Sequence, residues 1–236
     1  MLELVMVVAI IGALAAMLVP LMDRNREDAE STVARVSLQA VAEAFAGSAT
    51  QPGLLSDMRG VPGFKPENLR VHDLLSASRI GTDYPGSENH DPATRRGWRG
   101  PYLRSPVGAS NTVPARSGKF PLAEDVRFGG DGTFLERGFY LDASQSPYGA
   151  EGDLTAGDPW GNPFVLQVPP DEAFAHSATS VKKLRYARVI SAGPDGILST
   201  PRDRLAGRLI DGTAALRGDD LVLFLNRSDV YEDEEP

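Results

Sequence analysis

Residues 1–22 carry a single charge, Glu3, inside an otherwise unbroken apolar run, and the next charge is Asp23. A carboxylate at the mouth of so greasy a helix is unfavourable unless something positive meets it. A lone anchor gains nothing from that acid. A subunit that packs against copies of itself does, so Glu3 points to assembly. The stretch 4–22 holds 19 residues, about 28 Å as a helix. That is close to the ~20 residues that cross a bilayer. It is apolar on every face, so the expected element is a transmembrane helix over 1–22.

From 23 to 46 the pattern turns amphipathic. Ala29, Val33, Val36, Ala40, Val41, Ala44 and Phe45 recur at three- and four-residue steps, the spacing of one buried helical face. Gly47 and then Pro52 and Gly53 stop the helix. The expectation is one rod of roughly 65–70 Å, greasy in its first half and continuing amphipathically over 23–50. Gly12 and Pro20 lie within it, and Pro20 favours a kink.

The remainder, 51–236, reads as an α+β head. A short helix is expected over 68–80, with Leu69, His72, Leu75 and Ser76 on one side. Strands are expected at 163–168, 184–191 and 221–225, each bounded by turn residues. A small antiparallel sheet from these would cover the amphipathic part of the first helix. The region 105–157 looks like an insertion, with a hairpin about the glycine-rich turn at 129–132. The tail from Asp229 is acidic and solvated.

The formal charge of −8 argues against nucleic acid, even though 95–103 is basic and aromatic. No cysteine is present, which removes disulfides and thiolate metal sites. Catalysis finds little support: His72, His90 and His176 are scattered, and no nucleophile elbow, phosphate loop or zinc-protease helix occurs. The chain does not read as an enzyme. Between Gly193 and Asp220 the acids Asp195, Asp203, Asp211, Asp219 and Asp220 alternate with glycines. That chemistry suits a hard, oxygen-ligated cation better than zinc. Aspartate–glycine pairs are also ordinary turn formers.

Taken in order along the chain, these features resemble the type IV pilins, and most closely the major pseudopilins of type II secretion systems. Glu3 is similar to the hallmark glutamate of the family, and Gly12 and Pro20 match its helix-breaking glycine and proline. Two turns typical of major pseudopilins match 97–103, with Trp98, Gly100 and Pro101, and 158–164, with Asp158, Pro159, Trp160 and Gly161. The segments 191–196 and 218–221 resemble the family's C-terminal calcium loop.

The resemblance implies a helical filament of self-associating subunits. Glu3 would neutralise a neighbour's N-terminal amine, and calcium would bind in the 191–221 loop. Its ligands would be Asp195 and Asp219 or Asp220, with a carbonyl near Ile197 or Leu198. Asp203 and Asp211 are substitutes. It also implies a single-pass start in the bacterial inner membrane, an assembly platform and prepilin peptidase as partners, and a periplasmic or extracellular fibre. By register the mature chain, cleaved and methylated, would begin two residues before Met1. A type IV pilus subunit and a non-polymerising, membrane-anchored binding protein are the alternative readings.

Overall fold

The computed structural model describes residues 2–48, 50–103, 153–169, 174, 179–196, 198, 200 and 219–226. Helix α1 (Leu2–Ala46) is one continuous element. Residues rich in alanine, leucine and methionine propagate it. In its second half, pairs one turn apart reinforce it. Arg26 Nε meets Glu30 at 2.8 Å, and Gln39 donates to Glu43 at 2.9 Å. Gly47 ends it at φ +94°, donating its N–H to Glu43 O at 2.7 Å. The chain then folds back so that Gly53 lies against the Gly47 and Phe45 backbone, where a Cβ has no room.

The face that α1 buries overlaps only in part with the one its spacing suggests: Val41, Ala44 and Phe45 are buried as expected. Ala34, Ser37, Leu38, Val41, Ala42, Ala44 and Phe45 are covered, whereas Val33 is 53% exposed and Val36 65%. Ala29 is exposed as well, and Ala40 is half-buried. Both faces carry small apolar residues, so periodicity alone does not separate them. The covered face is the one that meets the sheet and helix α2 (Leu54–Met58). Phe45, Leu54 and Met58 are wholly buried there. Each such side chain stabilises the fold by on the order of 2 kcal/mol.

The sheet is a three-stranded antiparallel meander, β1 (Val165–Gln167), β2 (Arg188–Ser191) and β3 (Leu221–Phe224), with β2 in the middle. Val165 pairs with Ile190, and Ile190 with Val222. Strands β2 and β3 lie against α1. Each strand falls inside its expected window, but the window at 184–191 opens with helix rather than strand.

The helix expected over 68–80 is broken into a 3-10 turn (Pro66–Asn68), α3 (His72–Leu75) and α4 (Ser78–Asp83). Ser76 breaks it: its backbone is extended and its hydroxyl accepts from Ser78 N–H at 3.2 Å. A serine bonding locally in this way competes with helix propagation. Helix α5 (Ser180–Arg185), which precedes β2, begins on Thr179, whose hydroxyl accepts from Lys182 N–H at 3.3 Å.

The membrane assignment is corrected. Among the described residues no helix is long and apolar enough to cross a membrane. The transmembrane half of the expected fold and the single-pass inner-membrane location are therefore set aside, and prepilin cleavage and methylation fall with them. Several described apolar side chains of α1 are exposed along one arc. Val7, Ile11, Met22, Ala29, Val33 and Val36 are all exposed. They lie within about 80° of one another on a helical wheel. Met6 and Ile10 are exposed as well and lie outside this arc, so at the start of α1 the described apolar surface is wider than the stripe. The hairpin expected near 129–132 lies outside the described residues. Thr155, Ala156 and Gly157, assigned to the insertion, are buried parts of the core.

Candidate functional site

Three features position the sequence-derived candidates: the α1 stripe, two turns that brace the head, and the acidic loop beside β3.

The stripe is centred about 140° around α1 from the face that holds the head. Met22, Ala29, Val33 and Val36 follow at steps of seven, four and three residues. Those are the steps of a helix–helix seam. Charged side chains line its margins: Arg26 (79% exposed) holds Glu30 on one side, and Asp28, Arg35 and Glu43 are exposed on the other. Gly12 is exposed too. The side chains of Glu3 and Pro20 lie outside the described residues, although α1 runs through both positions.

The first turn, 97–103, is a brace. Gly97, at φ +94°, donates its N–H to Asp57 O at 2.9 Å and approaches Asn89 O so closely that no side chain fits. Trp98 Nε1 donates to Asp73 O at 2.8 Å, and its ring meets Tyr102 edge-on at 6.2 Å. Asp57, only 2% exposed, accepts from Arg99 at 2.7 Å and from the Tyr102 hydroxyl at 2.8 Å. Burial pushes the Tyr102 phenol well above its ordinary value, and its bond to the Asp57 carboxylate adds to this. Gly100 lies under the Tyr102 and Trp98 rings, and its peptide to Pro101 is cis. The Arg99 charge that a basic patch would offer is thus committed to Asp57.

The second turn, 158–164, holds the sheet to α1. Asp158 is wholly buried; its carboxylate accepts from Asn162 N at 2.8 Å, Trp160 N at 3.1 Å and the Ser191 hydroxyl at 2.6 Å. Burial raises its pKa, and those hydrogen bonds oppose the rise. Pro159 leads to Gly161 at φ +92°, where the turn reverses. Trp160 Nε1 then reaches across to Glu30 on α1 at 3.1 Å.

Of the loop in which the resemblance implies calcium, residues 191–196, 198, 200 and 219–221 are described. Asp195 and Asp219 do come together, but through Asp195 N–H donating to the Asp219 carboxylate at 3.2 Å. Asp220 is buried and turns the other way, accepting from Thr200 N at 2.6 Å. Leu198 is wholly buried. Among the described residues no three metal-ligating side chains stand together. The Asp219 and Asp220 carboxylates each accept from a backbone amide. Asp203 and Asp211 lie outside the described residues.

Sequence reading missed Asp57 and Asp73, and it took His72 for a packing or surface residue. Their partners are far away in the chain, and no local spacing announces them. No family model matches this chain, and no match emerges among curated proteins or solved structures.

Proposed function

We propose that this chain is a structural subunit that packs with copies of itself through α1, forming a pilin-like filament of the kind its motifs resemble. The observation that carries the reading is the exposed stripe Val7, Ile11, Met22, Ala29, Val33 and Val36. An apolar ridge of that length, rimmed by charge, is unfavourable in water and favourable against another helix. The head is tied to α1 at the 158–164 turn, where Trp160 donates to Glu30. Glu3, one helical turn before Val7, would meet a positive group of the next subunit and set the stagger.

The test replaces Val33 and Val36 together by glutamate in the full chain. Both are exposed, so circular dichroism and the unfolding midpoint should stay within about 0.5 kcal/mol of wild type. Sedimentation and electron microscopy should show fibres for the wild-type chain and none for the double variant. A wild-type chain that stays monomeric after detergent removal, or a double variant that assembles unchanged, contradicts the proposal.

A further inference from the structure

His72, 7% exposed, joins two segments of chain that are distant in sequence. Its Nδ1 accepts from the backbone N–H of Leu154 at 2.9 Å, and its Nε2 lies 2.9 Å from the Ser78 hydroxyl. The first bond settles the tautomer. A backbone amide only donates, so Nδ1 must be bare and the ring proton must sit on Nε2. Ser78 Oγ, which also receives the Ser76 hydroxyl at 3.1 Å, accepts it. The Asp153 carboxylate lies 3.9 Å from the same Nδ1. The neutral ring therefore holds the amide of Leu154, while a charged ring would have to hold the carboxylate next to it.

We infer that His72 is an acid-sensitive latch: a proton arriving at Nδ1 ejects the Leu154 amide and draws in Asp153, re-seating residues 153–157. The step is a protonation alone. The proton comes from solvent, the imidazole becomes an imidazolium, and one hydrogen bond is exchanged for an ion pair. The re-seated residues run directly into the turn whose Trp160 grips Glu30 on α1. Acid thus acts on the head close to the point where it holds the long helix. The latch does not depend on the filament reading.

The surroundings set the direction. Burial holds His72 below the ordinary imidazole value, Arg79 from α4 and Arg70 from the turn before α3 push the same way, and Asp153 pulls against them. Among the described residues, Asp73 on α3 and Asp83 on α4 also act on this cluster. The unfolded chain therefore takes the proton first. The stability that neutral His72 contributes is present above 6.5 and is lost as pH falls through that value toward its lower folded one. Asp73 has the opposite slope, so a global unfolding curve mixes the two. A local readout is required.

Hydrogen exchange at the Leu154 amide, corrected for the intrinsic pH dependence, supplies it, with the His72 ring followed by NMR in the same full-length samples. Protection should fall by about tenfold or more as His72 titrates. In His72→Asn the side-chain oxygen takes the place of Nδ1 without titrating, and protection should stay level with pH. In Asp153→Asn the imidazolium loses its carboxylate, so the His72 midpoint should move further down, and the loss of protection with it. Level protection through the wild-type His72 titration overturns the latch, whatever the variants do. An equal loss in His72→Asn overturns it as well.

Discussion

Replacing Asp57 by alanine is expected to cost about 3 kcal/mol of folding stability, the scale for removing one partner of a buried charged pair. The residue holds the 97–103 turn from two sides. Its carboxylate accepts from Arg99 and Tyr102, and its carbonyl accepts from Gly97. Alanine leaves the carbonyl bond intact but strands a phenol and a guanidinium together. Arg99 is 43% exposed and recovers some hydration, which keeps the expected loss below the upper end for such pairs. Tyr102→Phe removes only one of the bonds and should cost about 1 kcal/mol. Urea denaturation midpoints at constant slope measure both. A loss for Asp57→Ala no larger than that for Tyr102→Phe would show that the 97–103 turn is held by packing and not by this carboxylate.

Asp73→Asn should do the reverse and stabilise the protein at neutral pH. Burial pushes the Asp73 carboxyl up to about 6, against the pull of the Arg70 backbone N–H and of the Arg79 and Arg70 charges. The folded state therefore binds this proton more tightly than the unfolded chain, whose value is 3.8. Where the folded value is raised, stability is fully present at low pH. It is lost as pH rises from the unfolded value through about 6. Asparagine keeps an oxygen for the Arg70 N–H, which Asp73 now binds at 2.8 Å, and removes the buried charge. The gain should be about 1–3 kcal/mol at pH 8, since each tenfold difference in proton affinity between the two states is worth about 1.4 kcal/mol. It should shrink toward zero below pH 4. A variant that is less stable than wild type at pH 8 would mean that the Arg70 and Arg79 charges outweigh the burial of Asp73.

These two acids also mark where sequence reading stops. The three strands were legible because each is a short apolar run between turn residues, and their pairing followed from antiparallel neighbours. The extent of α1 was legible from composition and from the glycine that ends it. Its buried face was legible only in part, through Val41, Ala44 and Phe45. Val33 and Val36 are larger than Ala34 and Ala42, so a hydrophobic count favours the wrong side, and only the position of β2, β3 and α2 decides. The broken helix at Ser76 was missed because one serine hydroxyl, bonding two residues ahead, outweighs a propensity summed over a dozen positions. Trp98 and Trp160 were legible as members of turns, but their tasks were not. Each indole donates to a residue more than twenty positions away, Asp73 O and the Glu30 carboxylate. The acidic loop shows the same long-range pairing. Asp219 and Asp220 accept from the Asp195 and Thr200 amides, partners that their local sequence does not announce.

The central claim is that the outward side of α1 is covered by another copy of this chain, and proximity labelling reads it directly. The sequence contains no cysteine, so one can be placed alone. A benzophenone on Val36→Cys, irradiated in assembled material, should bond to a second copy and yield covalent dimers. The same group on Arg59→Cys, exposed on the head, should leave the chain monomeric. Equal yields at the two positions, or no dimer at Val36, would contradict the account.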